Sequence, residues 1–181
     1  VNEGNLRGYG AFVFGSGTQI VNKAGASIDF TGTAGELAAD HVEYYHEGGN
    51  IRSDRGWFKN SKIVVNKGTL DLTKRVDEAT SADNSLIKQG DATGTLGSGN
   101  TYLIGNGSAN PTIDKEHTAD SVAKLATVAV DKFVDSSSSA TVISGGILKV
   151  GGAGNKLKDT LVLTSADQLK LDGGFLQTDI Y

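Results

Sequence analysis

Val64-Val65-Asn66-Lys67-Gly68-Thr69-Leu70-Asp71-Leu72 is the stretch whose reading decides the fold. A strand-like pair meets an asparagine, a glycine follows two positions on, and a second alternating stretch begins. The asparagine can hydrogen-bond its own backbone and the glycine can take positive φ, so the chain bends there with little strain. The unit returns in register as Val142-Ile143-Ser144-Gly145-Gly146-Ile147-Leu148-Lys149-Val150 and as Lys170-Leu171-Asp172-Gly173-Gly174-Phe175-Leu176-Gln177-Thr178. A shorter copy is Val1-Asn2-Glu3-Gly4-Asn5-Leu6-Arg7. A looser one, Ile20 to Phe30, carries two extra residues around its glycine. Alternation turns Leu6, Ile28, Leu70, Leu148 and Leu176 to one side, where they are expected to lie buried in a single stack.

These anchors are 22, 42, 78 and 28 residues apart. The first two spacings are close to one and two multiples of about 21, within the range of solenoid repeats. The last two imply insertions. The pattern predicts a mainly β chain in which residues 1–181 form one segment of a parallel β-helix, each rung relying on its neighbours to bury side chains and pair its backbone. A β-sandwich of glycine-containing hairpins is the competing reading. Bending at the same point of every copy favours the β-helix.

Composition narrows the function classes. The chain has 25 glycines and a single proline, Pro111, which suits many tight turns between short strands. No run of apolar residues is long enough for a membrane-spanning helix. The formal net charge is −4, with lysines scattered among acids and no basic stripe, so a nucleic-acid partner is not expected. Absence of cysteine removes disulfides, thiolate metal sites and a cysteine nucleophile. The chain opens at Val1-Asn2 inside a repeat copy and stops just after another. It therefore reads as part of a longer array, with unpaired rung edges open to end-to-end self-association.

Two stretches depart from the strand pattern. Residues 33–49 read as a helix: Thr33-Ala34-Gly35-Glu36 resembles a capping box, Leu37, His41, Val42 and Tyr45 share a helical face, and Gly48-Gly49 supply a stop. Residues 118–135 read as a second helix, with Asp120 as cap and Val122, Leu125, Val128 (or Ala129) and Phe133 as its buried stripe. Ser136 to Ser139 read as a flexible link after it. Between the two helical elaborations, residues 76–117 form a polar, loop-rich insertion with one strand candidate at Tyr102-Leu103-Ile104.

Catalytic signatures are incomplete. His41-Val42-Glu43 matches half of a zinc deaminase motif whose other half needs cysteines. The Gly-x-Gly triplets lack the third glycine of a dinucleotide loop. In Gly151 to Leu157, a calcium-repeat likeness, lysine stands where an aspartate ligand belongs. No catalytic residue, metal site or cofactor is expected. The segment 41–58 concentrates histidines, arginines and aromatic residues, the side chains that stack on and hydrogen-bond a ligand. Tyr44, His46, Arg52 and Arg55 are the candidate ligand-binding residues. Tyr44, Arg52 and Arg55 are expected to be exposed beside one another, with Tyr45 and Phe58 as anchors. The same segment also reads as plain cover for the core, with Tyr45, Trp57 and Phe58 packed inside.

The pattern V-N-x-G-x-L-x-L, with Gly8-Tyr9-Gly10-Ala11 leading into Phe12-Val13-Phe14, resembles the passenger domains of Gram-negative autotransporters (type V secretion). The likeness covers about residues 1–30, 62–73 and 140–178. It implies a right-handed β-helix carried to the cell surface or secreted, with membrane attachment only through a C-terminal β-barrel that this chain lacks. It implies a non-catalytic adhesin or virulence-factor passenger binding a host-cell receptor or glycan, or another bacterial surface. A polysaccharide-degrading β-helix lyase or hydrolase is the alternative.

Overall fold

The computed structural model describes residues 1–8, 10–30, 36–72, 86–89, 99–108, 125–130, 132–133, 138–150, 160–161, 163 and 165–178. The first strands are β1 (Asn5–Arg7), β2 (Ala11–Phe14), β3 (Gln19–Lys23), β4 (Ser27–Phe30) and β5 (Glu36–Asp40). There follow β6 (Glu43–Glu47), β7 (Asn50–Lys59), β8 (Lys62–Lys67), β9 (Thr69–Asp71), β10 (Leu86–Gln89) and β11 (Thr101–Ile104). The remainder are β12 (Ala126–Val130), β13 (Lys132–Phe133), β14 (Ser139–Ile143), β15 (Gly146–Val150), β16 (Thr160–Leu161), β17 (Leu169–Asp172) and β18 (Phe175–Thr178).

The fold is mainly β, and every ladder between these strands is parallel. A first sheet runs β1-β4-β7-β10-β9-β12-β15-β18, with β5 also on β7 and β2 on β5. A second runs β17-β14-β11-β8-β6-β3, and β13 pairs with β16 apart from both. Parallel neighbours cannot be joined by hairpins. The chain accordingly leaves one sheet, crosses to the other, and returns one strand further along.

Inward positions stack across strands. In the second sheet Ile20, Tyr44, Ile63, Tyr102, Ala140 and Leu169 stand in register. In the first, Leu6 aligns with Ile28 and Ile51, and Leu70 with Val128, Leu148 and Leu176. Ile28, Leu70 and Leu148 are fully buried, as the repeat predicts. Each contributes about 1.5–3 kcal/mol by leaving water. Leu6 departs from the expectation at 38% exposed, and Leu176 is only partly buried. Both sit on the outermost strands of the sheet, where a neighbour packs from one side alone. Phe12 stacks on Phe30 with ring centroids 4.5 Å apart and adds aromatic filling beneath β2.

Two corners join the sheets. Leaving the second sheet, the chain turns through left-handed residues such as Gly68 (φ 82°) and Gly145 (φ 79°), the glycines of the quoted repeats. Beside this turn the buried Asn22 accepts from Asn2 Nδ2 (3.0 Å) and donates to the Asn50 carbonyl (2.9 Å). Entering the second sheet, Ser61, Asn100, Ser138 and Gln168 form a buried polar stack. Ser61 Oγ donates to the Lys59 carbonyl (2.7 Å) and accepts from the Val42 amide (3.2 Å). Asn100 Oδ1 accepts from the Ser61 amide (3.1 Å), and its Nδ2 donates to the Phe58 carbonyl (2.7 Å). These bonds pair backbone groups that the bends remove from the ladders.

The expected helices are corrected. Glu36–Asp40 and Glu43–Glu47 are strands, and so is Ala126–Val130; the described residues contain no helix. Leu37 and Ala39 point inward, the chain bends at His41 (φ 55°), and Val42, Tyr44 and His46 point inward again. Two strands of period two joined by a bend imitate the i, i+4 spacing of a helix over so short a stretch. Parallel partners on both sides decide for strands, because a helix would leave those partners' backbone groups unpaired. Thr33 to Gly35, residues 118–124 and most of 76–117 lie outside the described residues. Within the last range, Tyr102-Leu103-Ile104 does fall in β11.

Candidate functional site

Of the side chains chosen from sequence, Tyr44 and His46 meet in the interior and Arg52 lies on the outer side of the first sheet. Tyr44 is fully buried and His46 nearly so, which corrects the expectation that Tyr44 is exposed. Alternation from Val42 sends both inward and sends Tyr45 out. The Tyr44 hydroxyl lies 2.9 Å from His46 Nδ1. Burial raises the Tyr44 phenol well above its ordinary range, with a hydrogen bond from Asn22 opposing. Burial likewise lowers His46 to about 4, so its imidazole is neutral at physiological pH. These two groups fill the interior and meet no surface ligand.

Arg52 lies on the outer side of the first sheet, opposite Asp29, and is half-buried. Its Nε is buried with no hydrogen-bond partner among the described residues. Arg55 stands opposite Glu36 in β7; its side chain lies outside the described residues. Phe58 is buried, as expected of an anchor. Tyr45, expected as the other anchor, is half-exposed instead, its hydroxyl donating to Glu43 Oε2 (2.9 Å).

An exterior group does assemble at the corner where the chain enters the second sheet. Register places Val13 beside Ala38, Ala38 beside Trp57, and Asp40 beside Lys59. Because Phe58 points inward, Trp57 and Lys59 point out. Trp57 is half-buried and Val13 is 68% exposed. Next to them, Asp40 Oδ1 accepts from His41 Nδ1 (2.7 Å) and from Asn60 Nδ2 (3.1 Å). The Asn60 bond holds the Asp40 carboxyl below its ordinary range, helped by His41 and Lys59 and opposed by partial desolvation. The Asp40 and His41 side chains remain 44% and 60% exposed. An ionised carboxylate thus fixes an imidazole and an amide beside an indole.

The backbone marks the same place. His41 (φ 55°) and Asn60 (φ 49°) are the described non-glycine residues with positive φ. In neighbouring strands this corner position is held by Gly17 (φ 81°) and Gly99 (φ 70°). The alignment follows from bonds of the Gly17 amide to the His41 carbonyl (2.9 Å) and the Glu43 amide to the Thr18 carbonyl (3.0 Å). The Lys62 amide continues it to the Val42 carbonyl (2.9 Å), and Thr101 to Ser61 (2.9 Å). Sequence reading placed His41 on a buried helical face and passed over Asp40 and Asn60. The available signal was the pair Asp40-His41-Val42 and Lys59-Asn60-Ser61, each a polar bend between alternating strands with no glycine at the bend.

Among the described residues no three His, Cys, Asp or Glu side chains gather to hold a metal ion, and no helix is long and apolar enough to cross a membrane. The class defined so far is a parallel-β protein with a polar and aromatic surface group at one corner. No protein-family model, characterised protein or solved structure matches the chain.

Proposed function

We propose that the sheets are faces of a right-handed parallel β-helix and that the protein is a non-catalytic surface-binding module of the adhesin type. It would be displayed on or released from a Gram-negative bacterium as part of an autotransporter passenger. The β-helix reading is supported by strands that alternate between two sheets, each pairing in parallel with its counterpart about one repeat away. Right-handedness follows from the strong preference of parallel crossovers. The observation that carries the binding role is the exposed Asp40–His41–Asn60 network beside Trp57, held on a rigid backbone and outside the core. Its partner would be a host-cell receptor or glycan, or the surface of another bacterium.

Polysaccharide hydrolysis calls for two carboxyl groups flanking the scissile bond, about 5–9.5 Å apart. Besides Asp40, the described carboxylate across the His41 bend is Glu43, whose Oε2 is already taken by Gln19 and Tyr45. The test is direct: fluorescently labelled protein is incubated with epithelial cells and with bacterial cells, and reducing-sugar release is followed on the same preparations. Saturable cell binding without sugar release is expected. Sugar release, or no saturable binding to any cell type, would reject the adhesin reading.

A further inference from the structure

Four successive strands enter the second sheet through the same left-handed corner, at Gly17, His41, Asn60 and Gly99. Glycine takes that conformation without strain, whereas a residue with a side chain takes it at a cost, smaller for asparagine and histidine than for most. The two central positions nevertheless carry His41 and Asn60, and both side chains bond to one carboxylate oxygen, Asp40 Oδ1. The buried polar stack of this corner runs through Ser61, Asn100, Ser138 and Gln168, so His41 and Asn60 are not what closes the bend. Side chains kept where glycine would serve the backbone better are a signature of a site.

We propose that this corner, with Trp57 and Lys59 beside it, is a binding site for neutral carbohydrate. The assignment rests on the surface-binding role above and specifies its ligand. Three features select the ligand class. Asp40 and the facing Lys59 offset each other, so the corner favours neither a strong anion nor a strong cation. Carboxylate, imidazole, amide and ammonium together supply both acceptors and donors, as a chain of hydroxyls requires. The half-exposed Trp57 indole offers an apolar face of the kind on which the C–H face of a pyranose packs, with the exposed Val13 beyond Ala38, one strand further across the sheet. The Asp40–His41–Asn60 bonds fix the polar groups before the ligand arrives, which lowers the ordering cost of binding.

Trp57 is the chain's single tryptophan, so tryptophan fluorescence, excited beyond the tyrosine absorption band, reports on this corner. The experiment titrates the protein with soluble gluco-, manno- and galacto-hexaoses and with neutral N-acetylated hexaoses, and repeats the cell-binding assay in parallel. Saturable fluorescence change is expected with at least one of these sugars. His41→Gly and Asn60→Gly should each weaken that binding by about tenfold or more while melting at or above the wild-type temperature. Trp57→Ala, followed by calorimetry, should weaken it at least as much. No binding to any of these sugars overturns the proposal, as does wild-type affinity in both glycine variants. Cell binding without sugar binding discards the carbohydrate site and leaves the adhesive role. Sugar binding without cell binding keeps the site and removes that role.

Discussion

Leaving the second sheet, the chain bends through glycine again and again; entering it, the chain bends through Gly17, His41, Asn60 and Gly99. Both corners need a left-handed residue, and both line their inner side with buried polar groups. Just past the exit bend there is no room for a side chain: a Cβ at Gly146 would land on the Ile104 carbonyl oxygen and one at Gly49 on that of Lys23. At the entry corner the side chains of His41 and Asn60 stand outside the fold, with Asp40 between them. One corner is closed by packing against neighbouring strands. The other keeps space on its outer side and fills it with polar groups.

This contrast breaks first at Gly146. Gly146→Ala should destabilise the protein by about 3 kcal/mol or more, because backbone and not a flexible side chain must move. Urea unfolding checks it, and a near-neutral result would mean that the exit corner is not tightly packed.

The buried histidine of the exit corner sharpens the contrast through pH. His46 has an ordinary value of 6.5 and is lowered to about 4 in the fold. The unfolded chain therefore binds the proton first. Stability is fully present above about pH 6.5, falls as pH drops toward 4, and levels off below that, for a total loss of about 3 kcal/mol. His46→Gln should flatten that decline, as measured by urea midpoints between pH 7 and pH 4.

A smaller effect is expected at the inner side of the entry corner. Ser61→Ala removes an acceptor from the Val42 amide and a donor to the Lys59 carbonyl, both at a buried position. The loss should be about 1–2 kcal/mol, since the amide is left without its partner. Amide hydrogen exchange at Val42 should speed up in the variant; unchanged exchange would show that another acceptor takes over.

The exit corner was legible from sequence and the entry corner was not. Polar-x-Gly followed by alternation identified the bends at Gly68, Gly145 and Gly173, because glycine at a bend advertises its conformation. The inward ladder through Ile28, Leu70 and Leu148 was legible from period two. His41 carries no such mark. Its neighbours Leu37, Val42 and Tyr45 fit a helical face as well as two short strands, and only pairing with β2, β3, β7 and β8 separates the two. A helix there would bury Tyr45 and expose Tyr44, and the strand does the reverse, since a one-residue change of phase turns a strand inside out. Trp57 and His41 fall within the segment 41–58 singled out from sequence, whereas Tyr44, expected there as exposed, is buried. Asp40 and Asn60 join the site through register between strands, which no local pattern contains.

The central claim is that His41 and Asn60 are held at the entry corner for their side chains and against the preference of the backbone. An L-residue in the left-handed region costs about 1–2 kcal/mol, somewhat less for asparagine, and an exposed ion pair returns little of that. The most direct measurement is the urea-unfolding midpoint of the double variant His41→Gly/Asn60→Gly at neutral pH. A midpoint at or above that of the wild-type protein, with an unchanged denaturant slope, is the predicted result. A clear fall in the midpoint would contradict the claim and make both side chains part of what holds the fold.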